Sequence, residues 1–197
     1  MSFSPDKARH ALATADLVCS AAAVSAAVTR LAREISAALA ESFPLVLCVM
    51  RGAVVFAGQL LPQLRFPLEL DYLDVRRYSD TTRGGDIEWR VMPGTPVAGR
   101  TVLVLDDVLD HGTTLAAIRE KLLAAGASRV YYAVLTEKDT GRAKPVRADF
   151  VGLRLPDRYV FGCGMDVGGV WRNLPEIYAL NEDQGSRIKD QAAKGEK

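Results

Sequence analysis

Several features that mark membrane, disulfide-rich or nucleic-acid-binding proteins are missing from this sequence. No apolar run approaches the roughly 20 residues that span a bilayer, and the first residues lack the basic-then-apolar pattern of a signal peptide, so a cytoplasmic location without a membrane partner is expected. The 25 basic and 24 acidic residues nearly cancel, so the overall charge does not call for nucleic acid as a partner. Cys19, Cys48 and Cys163 form no Cys-x-x-Cys pair and are expected to be buried apolar residues rather than disulfide or zinc ligands.

What the sequence does contain is the alternating pattern of an α/β domain. Val24, Val28, Leu31, Ile35 and Leu39 recur at spacings of three and four within the alanine-rich segment 8–41, which predicts an amphipathic helix. Helical spacing returns at 54–64 and 115–122. Short apolar runs predict strands at 45–50, 68–75, 87–92, 101–105, 130–135, 150–153 and 159–161. Because parallel strands need crossovers, this pattern predicts a mostly parallel sheet with helices on both faces.

The chain is predicted to form one domain over residues 1–181. Its length of 197 residues suits a single globular core. Segment 79–86 is polar, contains glycine and lacks periodicity, so a mobile loop is predicted there. The polar and charged stretch 182–197 is expected to be disordered.

An acidic, glycine-containing segment follows the predicted strand 101–105. It contains Asp106, Asp107, Asp110, His111, Gly112, Thr113 and Thr114. In an open parallel sheet, ligands bind beyond the carboxyl ends of the strands, where the N-terminus of a helix offers free N–H groups to a phosphate. Carboxylates beside a phosphate need hydroxyls or a cation between them. The segment therefore predicts a sugar phosphate, with ribose hydroxyls or magnesium at the acidic pair and phosphate at the glycine and threonines. A receiver-type phosphorylation domain also holds magnesium with an acidic pair, but it would leave the glycine and threonines without a role.

Residues 102–114, Val-Leu-Val-Leu-Asp-Asp-Val-Leu-Asp-His-Gly-Thr-Thr, resemble the signature with which type I phosphoribosyltransferases bind phosphoribosyl pyrophosphate (PRPP). The resemblance implies that residues 106, 107 and 110–114 bind PRPP. It also implies that Asp110 is catalytic, lying near N7 of a base and assisting proton movement there. His111 stands where that family commonly has Thr or Ser, although its backbone N–H can still face phosphate.

Three further segments resemble the hypoxanthine-guanine phosphoribosyltransferases. Met50-Arg51-Gly52 is similar to their Leu-Lys-Gly element, which implies that Arg51 and Gly52 contact pyrophosphate and leaves open whether the peptide bond before Arg51 is cis. Trp171-Arg172-Asn173-Leu174-Pro175 resembles their Tyr-Arg-Asn-Leu-Pro and implies that Arg172 also contacts pyrophosphate. Tyr78 stands at the start of the segment similar to their closing loop, where Arg77 replaces the usual serine.

Residues 148–166 resemble the Asp-Phe-Val-Gly…Pro-Asp…Val-Gly-Tyr-Gly-Leu-Asp stretch of the same family, and Lys138 precedes Phe150 by the family's spacing of 12 residues. The resemblance implies a purine site formed by Lys138, Tyr159, Val160 and Asp166. Lys138 would donate to O6 of a 6-oxopurine, Tyr159 would stack on the ring, and Val160 would offer backbone groups to its edge. Asp166 would also hold magnesium, together with Asp106 and Asp107.

Taken together, the resemblance implies a magnesium-dependent enzyme of purine salvage. It would transfer phosphoribosyl from PRPP to N9 of hypoxanthine or guanine, giving IMP or GMP and pyrophosphate. The resemblance also implies a small hood built from the N- and C-terminal segments, and a homodimer or homotetramer. Two alternatives stay open: a xanthine-preferring enzyme, and a PRPP-sensing regulator of nucleic acid without catalysis, for which no basic face is evident.

Overall fold

A computed structural model describes residues 3–77 and 87–181 of the chain. The helices within these ranges are α1 (Pro5–Ala13), α2 (Ala21–Leu39), α3 (Ala53–Leu60) and α4 (Thr113–Ala124). The strands are β1 (Asp16–Cys19), β2 (Leu45–Met50), β3 (Glu69–Arg77), β4 (Ile87–Val91), β5 (Thr101–Leu109), β6 (Arg129–Asp139), β7 (Phe150–Pro156), β8 (Val160–Phe161) and β9 (Ile177–Ala179). Short 3-10 turns follow α2 and α3.

A six-stranded sheet forms the centre of the molecule, in the order β4-β3-β2-β5-β6-β7. Every neighbouring pair is parallel except the edge strand β4, which is antiparallel to β3. The apolar runs of β2 and β5 are buried on both faces, as parallel strands between two helical layers require. The predicted α/β class with a mostly parallel sheet is confirmed.

Helices cover both faces of this sheet. The crossovers β2-α3-β3 and β5-α4-β6 run in opposite directions along the sheet, so the right-handed rule places α3 and α4 on opposite faces. α2 packs with α3, and its Leu31 contacts Gly152 of β7. On the other face, the hydroxyl of Tyr132 in β6 donates to the carbonyl of Leu115 in α4 at 2.8 Å.

A second, three-stranded antiparallel sheet joins the two ends of the described chain in the order β1-β9-β8. With α1 it encloses a separate small core of Ala11, Phe161, Val167 and Leu180. This sheet is the hood that the resemblance implied.

The alanine-rich segment 8–41 is not one helix, which corrects the sequence prediction. α1 ends at Ala13, and β1 pairs with β9, a strand that the sequence did not predict. A new helix then starts after Ser20, whose hydroxyl accepts a hydrogen bond from the N–H of Ala23. Backbone pairing with a distant strand overrides the local helical composition here.

Two central strands also extend past their apolar runs. β5 continues to Leu109 and β6 to Asp139, because backbone pairing, such as that of Leu109 with Glu137, does not require apolar side chains. Asp106 and Asp107 therefore lie within a strand rather than in the loop after it, and Lys138 lies within β6.

The predicted mobile loop 79–86, Tyr78 and the predicted tail 182–197 lie outside the described residues. None of the helices within the described ranges is long and apolar enough to cross a lipid bilayer. Cys48 and Cys163 are buried and Cys19 is partly exposed, and all three are free thiols.

Candidate active site

The carboxyl ends of β2, β3 and β5 meet at one edge of the central sheet, as parallel pairing requires. A cavity of about 530 Å³ lies at this edge. The predicted site residues among its lining are Arg51, Gly52, Asp106, Asp107, Asp110, His111, Gly112, Thr113, Thr114, Asp166 and Arg172. The fold thus brings together three segments that are far apart in the sequence.

The turn between β2 and α3 lies directly against the acidic pair. Its peptide bond between Met50 and Arg51 is cis. A Cβ on Gly52 would collide with the Asp107 carboxylate, and a Cβ on Gly164 would collide with the carbonyl oxygen of Gly52, so only glycine fits at either position. Arg51 is exposed and forms no ion pair with another described residue, which leaves its guanidinium available to a ligand.

Asp106 and Asp107 are buried, with 9% and 7% of their surfaces exposed. The N–H of Asp107 donates to the Asp106 carboxylate at 3.0 Å, and the Thr136 hydroxyl donates to the Asp107 carbonyl at 2.9 Å. Burial raises the pKa of both carboxyls, and the neighbouring Asp107 charge raises the pKa of Asp106 further. Arg172 lowers the pKa of Asp107 but does not offset its burial.

Gly112 precedes the first turn of α4, which starts with Thr113 and Thr114. Its φ of 80° lies in the left-handed region, which glycine adopts without strain. No side chain caps this helix, so the N–H groups of its first turn are available as donors at the cavity. The positive end of the helix and these donors suit a phosphate.

Asp110 follows β5 and is held by two basic side chains. Lys138 Nζ lies 3.1 Å from one of its carboxylate oxygens, and His111 Nδ1 lies 2.9 Å from the other. Partial burial acts to raise the pKa of Asp110, but the charge of Lys138 and the contact with His111 outweigh it, so the net pKa is lowered. Asp110 is therefore ionised near neutral pH and can accept a proton or a hydrogen bond.

A second cavity of about 220 Å³ lies beside the first and shares its wall. Asp107, Asp110, Asp166 and Arg172 line both cavities, whereas Lys138, Tyr159, Val160 and Met165 line only the second. The predicted purine residues are thus gathered on the hood side of Asp110. The flat ring of Tyr159 and the apolar Val160 and Met165 suit an aromatic heterocycle.

Asp166 and Arg172 form an ion pair with each other. Asp166 also accepts a hydrogen bond from the N–H of Gly169 at 2.7 Å, and Arg172 donates to the carbonyl of Gly164 at 2.6 Å. The resemblance implied separate partners for these two side chains, magnesium and pyrophosphate. Both roles stay predictions.

The cavity walls include residues that sequence reasoning did not select. Asp74 and Arg76 of β3 line the larger cavity. The signal that could have found them is topological: β3 is parallel to β2, so its carboxyl end reaches the same edge. Val108 and Met165 line the smaller cavity, and neither carries a chemical signature in the sequence.

The acidic pair fits a magnesium ion by its chemistry. Magnesium prefers oxygen ligands, often one or two carboxylates completed by substrate phosphates and water. Asp106 and Asp107 offer buried carboxylates whose raised pKa would be relieved by a cation. Within the described residues no cluster of three His, Cys, Asp or Glu side chains could hold a metal, so a cation here would need ligands from the substrate or from solvent.

Comparison with known proteins identifies the family. Residues 19–167 match the phosphoribosyl transferase domain. The chain is 34% identical to the hypoxanthine-guanine phosphoribosyltransferase of Bacillus subtilis (strain 168) over 78% of its own length and 86% of that protein. The chain belongs to the hypoxanthine-guanine phosphoribosyltransferase family.

Other members of the family agree with this assignment. This chain is 36% identical to the hypoxanthine-guanine-xanthine phosphoribosyltransferase of Tritrichomonas foetus, over 76% of its own length and 85% of that protein. A solved hypoxanthine-guanine-xanthine phosphoribosyltransferase superposes with a TM-score of 0.73 at 29% identity, covering 85% of this chain and 95% of that chain. The fold class and the family that the sequence predicts are therefore both confirmed.

Proposed function

We propose that this phosphoribosyltransferase transfers the phosphoribosyl group of PRPP to N9 of hypoxanthine or guanine in purine salvage, giving IMP or GMP and pyrophosphate. The observation that carries the proposal is the contact of 3.1 Å between Asp110 and Lys138 at the boundary of the two cavities. One cavity has donors for phosphate and acceptors for hydroxyls, and the other has an aromatic wall. A sugar phosphate and a flat base held side by side account for both.

PRPP lies in the larger cavity in this proposal. Its 5′-phosphate accepts from the N–H groups at the start of α4 and from the hydroxyls of Thr113 and Thr114. Asp106 and Asp107 accept hydrogen bonds from the ribose hydroxyls, directly or through a cation.

The pyrophosphate end of PRPP lies between the β2–α3 turn and Arg172. Arg51 and Arg172 stabilise the charge that develops on this leaving group, and Gly52 allows its close approach to the main chain. Magnesium, when bound, would neutralise the pyrophosphate and favour its departure. Asp106 and Asp107 would hold the ion, and Asp166 would also contact magnesium once Arg172 turns from Asp166 to pyrophosphate.

The base lies in the smaller cavity. Tyr159 stacks on the purine, Val160 offers backbone groups to its edge, and Lys138 donates to O6. Asp110, ionised because its pKa is lowered, stabilises or accepts a proton at N7 as N9 attacks the ribose.

The decisive experiment is a screen of four bases. Purified protein is incubated with PRPP, magnesium and hypoxanthine, guanine, xanthine or adenine, and the nucleotides formed are separated by chromatography. We expect IMP and GMP, and little AMP because adenine lacks the O6 acceptor that Lys138 requires. Absence of any nucleotide product, or a preference for adenine, would contradict the proposal.

Xanthine is a second candidate substrate, because a curated relative and a solved structure both carry the name hypoxanthine-guanine-xanthine phosphoribosyltransferase. Xanthine keeps O6 and differs from guanine at position 2. The same screen decides this point by the ratio of kcat/KM for xanthine to kcat/KM for guanine. A ratio above one identifies a xanthine-preferring enzyme.

A homodimer or homotetramer is also proposed. Leu70 and Tyr72 stand on one face of β3 with 55% and 47% of their surfaces exposed, an apolar pair that a second copy of the chain would cover. Sedimentation of the wild type and of Leu70→Lys compares their masses. A monomeric wild type would contradict the proposed oligomer. An oligomer that persists in Leu70→Lys would show that this face of β3 is not the interface between copies.

A further inference from the structure

Lys144 lies between β6 and β7, in a connection without helix or strand, yet its side chain is only 11% exposed. Its ammonium lies 2.6 Å from the carbonyl oxygen of Lys138, 3.2 Å from that of Leu109 and 3.2 Å from Glu137 Oε1. An ammonium group has three N–H donors, so this one is fully satisfied. A nearly buried cation is costly unless every donor is paired, and three paired donors hold Lys144 in one position.

The two carbonyls that Lys144 contacts belong to the chain on either side of the proposed chemistry. Leu109 immediately precedes Asp110, and the other carbonyl is that of Lys138 itself. Leu109 and Glu137 are the last pair of the β5–β6 ladder. Beyond this pair the backbones separate, and the Lys144 ammonium links them where the ladder no longer does.

The segment that carries Lys144 also supports the phosphate end of the cavity. A Cβ on Gly112 would lie 3.2 Å from Val146 Cγ1 and 3.4 Å from Lys144 Cβ. Residues 144–146 therefore pack directly against the turn that starts α4. A displacement of Lys144 would reach both the Asp110–Lys138 contact and the loop before α4.

We propose that Lys144 is a positioning residue of this phosphoribosyltransferase, whose ammonium sets the separation of Asp110 and Lys138 by holding the main chain of Leu109 and Lys138. It acts through these two residues and does not touch a substrate. The inference rests on the proposed function for the roles of Asp110 and Lys138.

The proposal has a signature in the pH dependence of the reaction. The titratable groups that contact Asp110 are Lys138 and His111, and their contacts lower its pKa against the opposing effect of burial. Without the Lys144 ammonium, the Lys138 side chain moves away from the Asp110 carboxylate, and the pKa of Asp110 rises towards its ordinary value. The acidic limb of the kcat/KM profile, which follows ionisation of Asp110, then moves to higher pH.

The test compares Lys144→Met, which keeps most of the apolar stem and removes the charge, with Arg147→Met. Arg147 is an exposed cation of the same segment and serves as the matched control. For Lys144→Met we expect kcat for IMP formation to fall about 10- to 100-fold and the acidic limb to move to higher pH. Arg147→Met should behave as the wild type.

Two results would overturn the positioning role: a wild-type profile for Lys144→Met, or an equal loss of rate at every pH. If circular dichroism shows that Lys144→Met does not fold, Lys144→Gln, which keeps two N–H donors, takes its place. A shift of the acidic limb of Lys144→Gln to higher pH than in the wild type supports the proposal, and an unshifted limb contradicts it. A wild-type protein that forms no IMP would contradict the proposed function itself. Failure of the positioning role and failure of the proposed function therefore give different results.

Discussion

At Asp110, two opposing effects act on one carboxyl group. Partial burial favours the neutral acid, whereas Lys138 and His111 favour the carboxylate, and the net pKa is lowered. At Asp106 and Asp107, burial prevails and raises the pKa of both carboxyls, and the Asp107 charge raises the pKa of Asp106 further. The chain therefore separates a ready proton acceptor, Asp110, from a buried pair of acids whose ionised form a nearby cation would favour.

The first residue-scale prediction concerns Asp110→Asn. The amide cannot accept a proton, so we expect kcat to fall by about 100- to 1,000-fold. The phosphate donors of α4 are unchanged, so the Kd for PRPP should stay within about twofold. Steady-state kinetics and calorimetry measure the two quantities, with Asp157→Asn, an exposed acid away from both cavities, as the control. An unchanged kcat would remove Asp110 from the chemistry.

The second residue-scale prediction is that Asp106→Asn stabilises the magnesium-free protein. The pKa of Asp106 in the folded protein lies above its ordinary value of 3.8. As the pH rises from 3.8 to the raised pKa, Asp106 ionises in the unfolded chain before it ionises in the folded protein. The folded state therefore loses stability that it has below pH 3.8.

The asparagine variant avoids that loss. At pH 7 we expect its Tm to exceed that of the wild type by about 2–4 °C, which corresponds to about 1 kcal/mol, while activity falls. The difference should shrink towards pH 4. A thermal scan at several pH values measures it, and a lower Tm at pH 7 would show that the Asp106 charge stabilises the fold.

Among the elements, the turn between β2 and α3 is closely packed against the acidic pair. Its Gly52 sits against the Asp107 carboxylate, and Gly164 sits against Gly52. The segments that carry Gly52, Asp107 and Gly164 meet here. A methyl group added at either glycine would therefore displace the segment that it contacts. The geometry of the acidic pair depends on this contact as much as on the pair itself.

The element-scale prediction compares Gly52→Ala with Gly58→Ala. A Cβ at position 52 meets the Asp107 carboxylate, so we expect kcat/KM for PRPP to fall at least about tenfold, since a displacement of about 1 Å near reacting groups can cost 100-fold. A Cβ at position 58, inside α3, meets nothing within 4 Å. That substitution should leave activity unchanged and add up to about 1 kcal/mol of stability. Equal activities of the two variants would show that the contact with Asp107 is tolerant.

At the scale of the whole molecule, the site lies between two cores. The central sheet supplies the acidic pair, the start of α4 and Lys138, and the hood supplies Tyr159 and Val160. A ligand that spans both cavities therefore contacts the central sheet and the hood at once, and its binding should raise the global stability.

The whole-molecule prediction is that PRPP raises the Tm only with magnesium. At a PRPP concentration 100-fold above Kd, binding to the folded state contributes about 2.7 kcal/mol, or roughly 5–10 °C for a chain of this size. A chelator should remove most of the shift. Differential scanning fluorimetry with ribose 5-phosphate as the control measures this, and a shift that is unaffected by the chelator would contradict a role for the metal.

The sequence by itself determined the fold class and predicted most of the residues that line the candidate site. Apolar runs such as 45–50 and 101–105 predicted buried parallel strands, because only strands covered on both faces exclude polar residues so completely. The acidic, glycine and threonine pattern at 106–114 predicted a sugar-phosphate site, because few ligands require both acceptors and phosphate donors in one loop. Local chemistry sufficed for these inferences.

Only the tertiary structure decided the rest. β1 and β9 exist because they pair with each other across the whole chain, and neither has a pattern of its own. The placement of Asp74 at the cavity and the contact of Lys144 with Leu109 depend on segments distant in sequence. Periodicity and motifs report what a segment prefers locally, whereas backbone pairing and the packing of charges are settled only when distant segments meet.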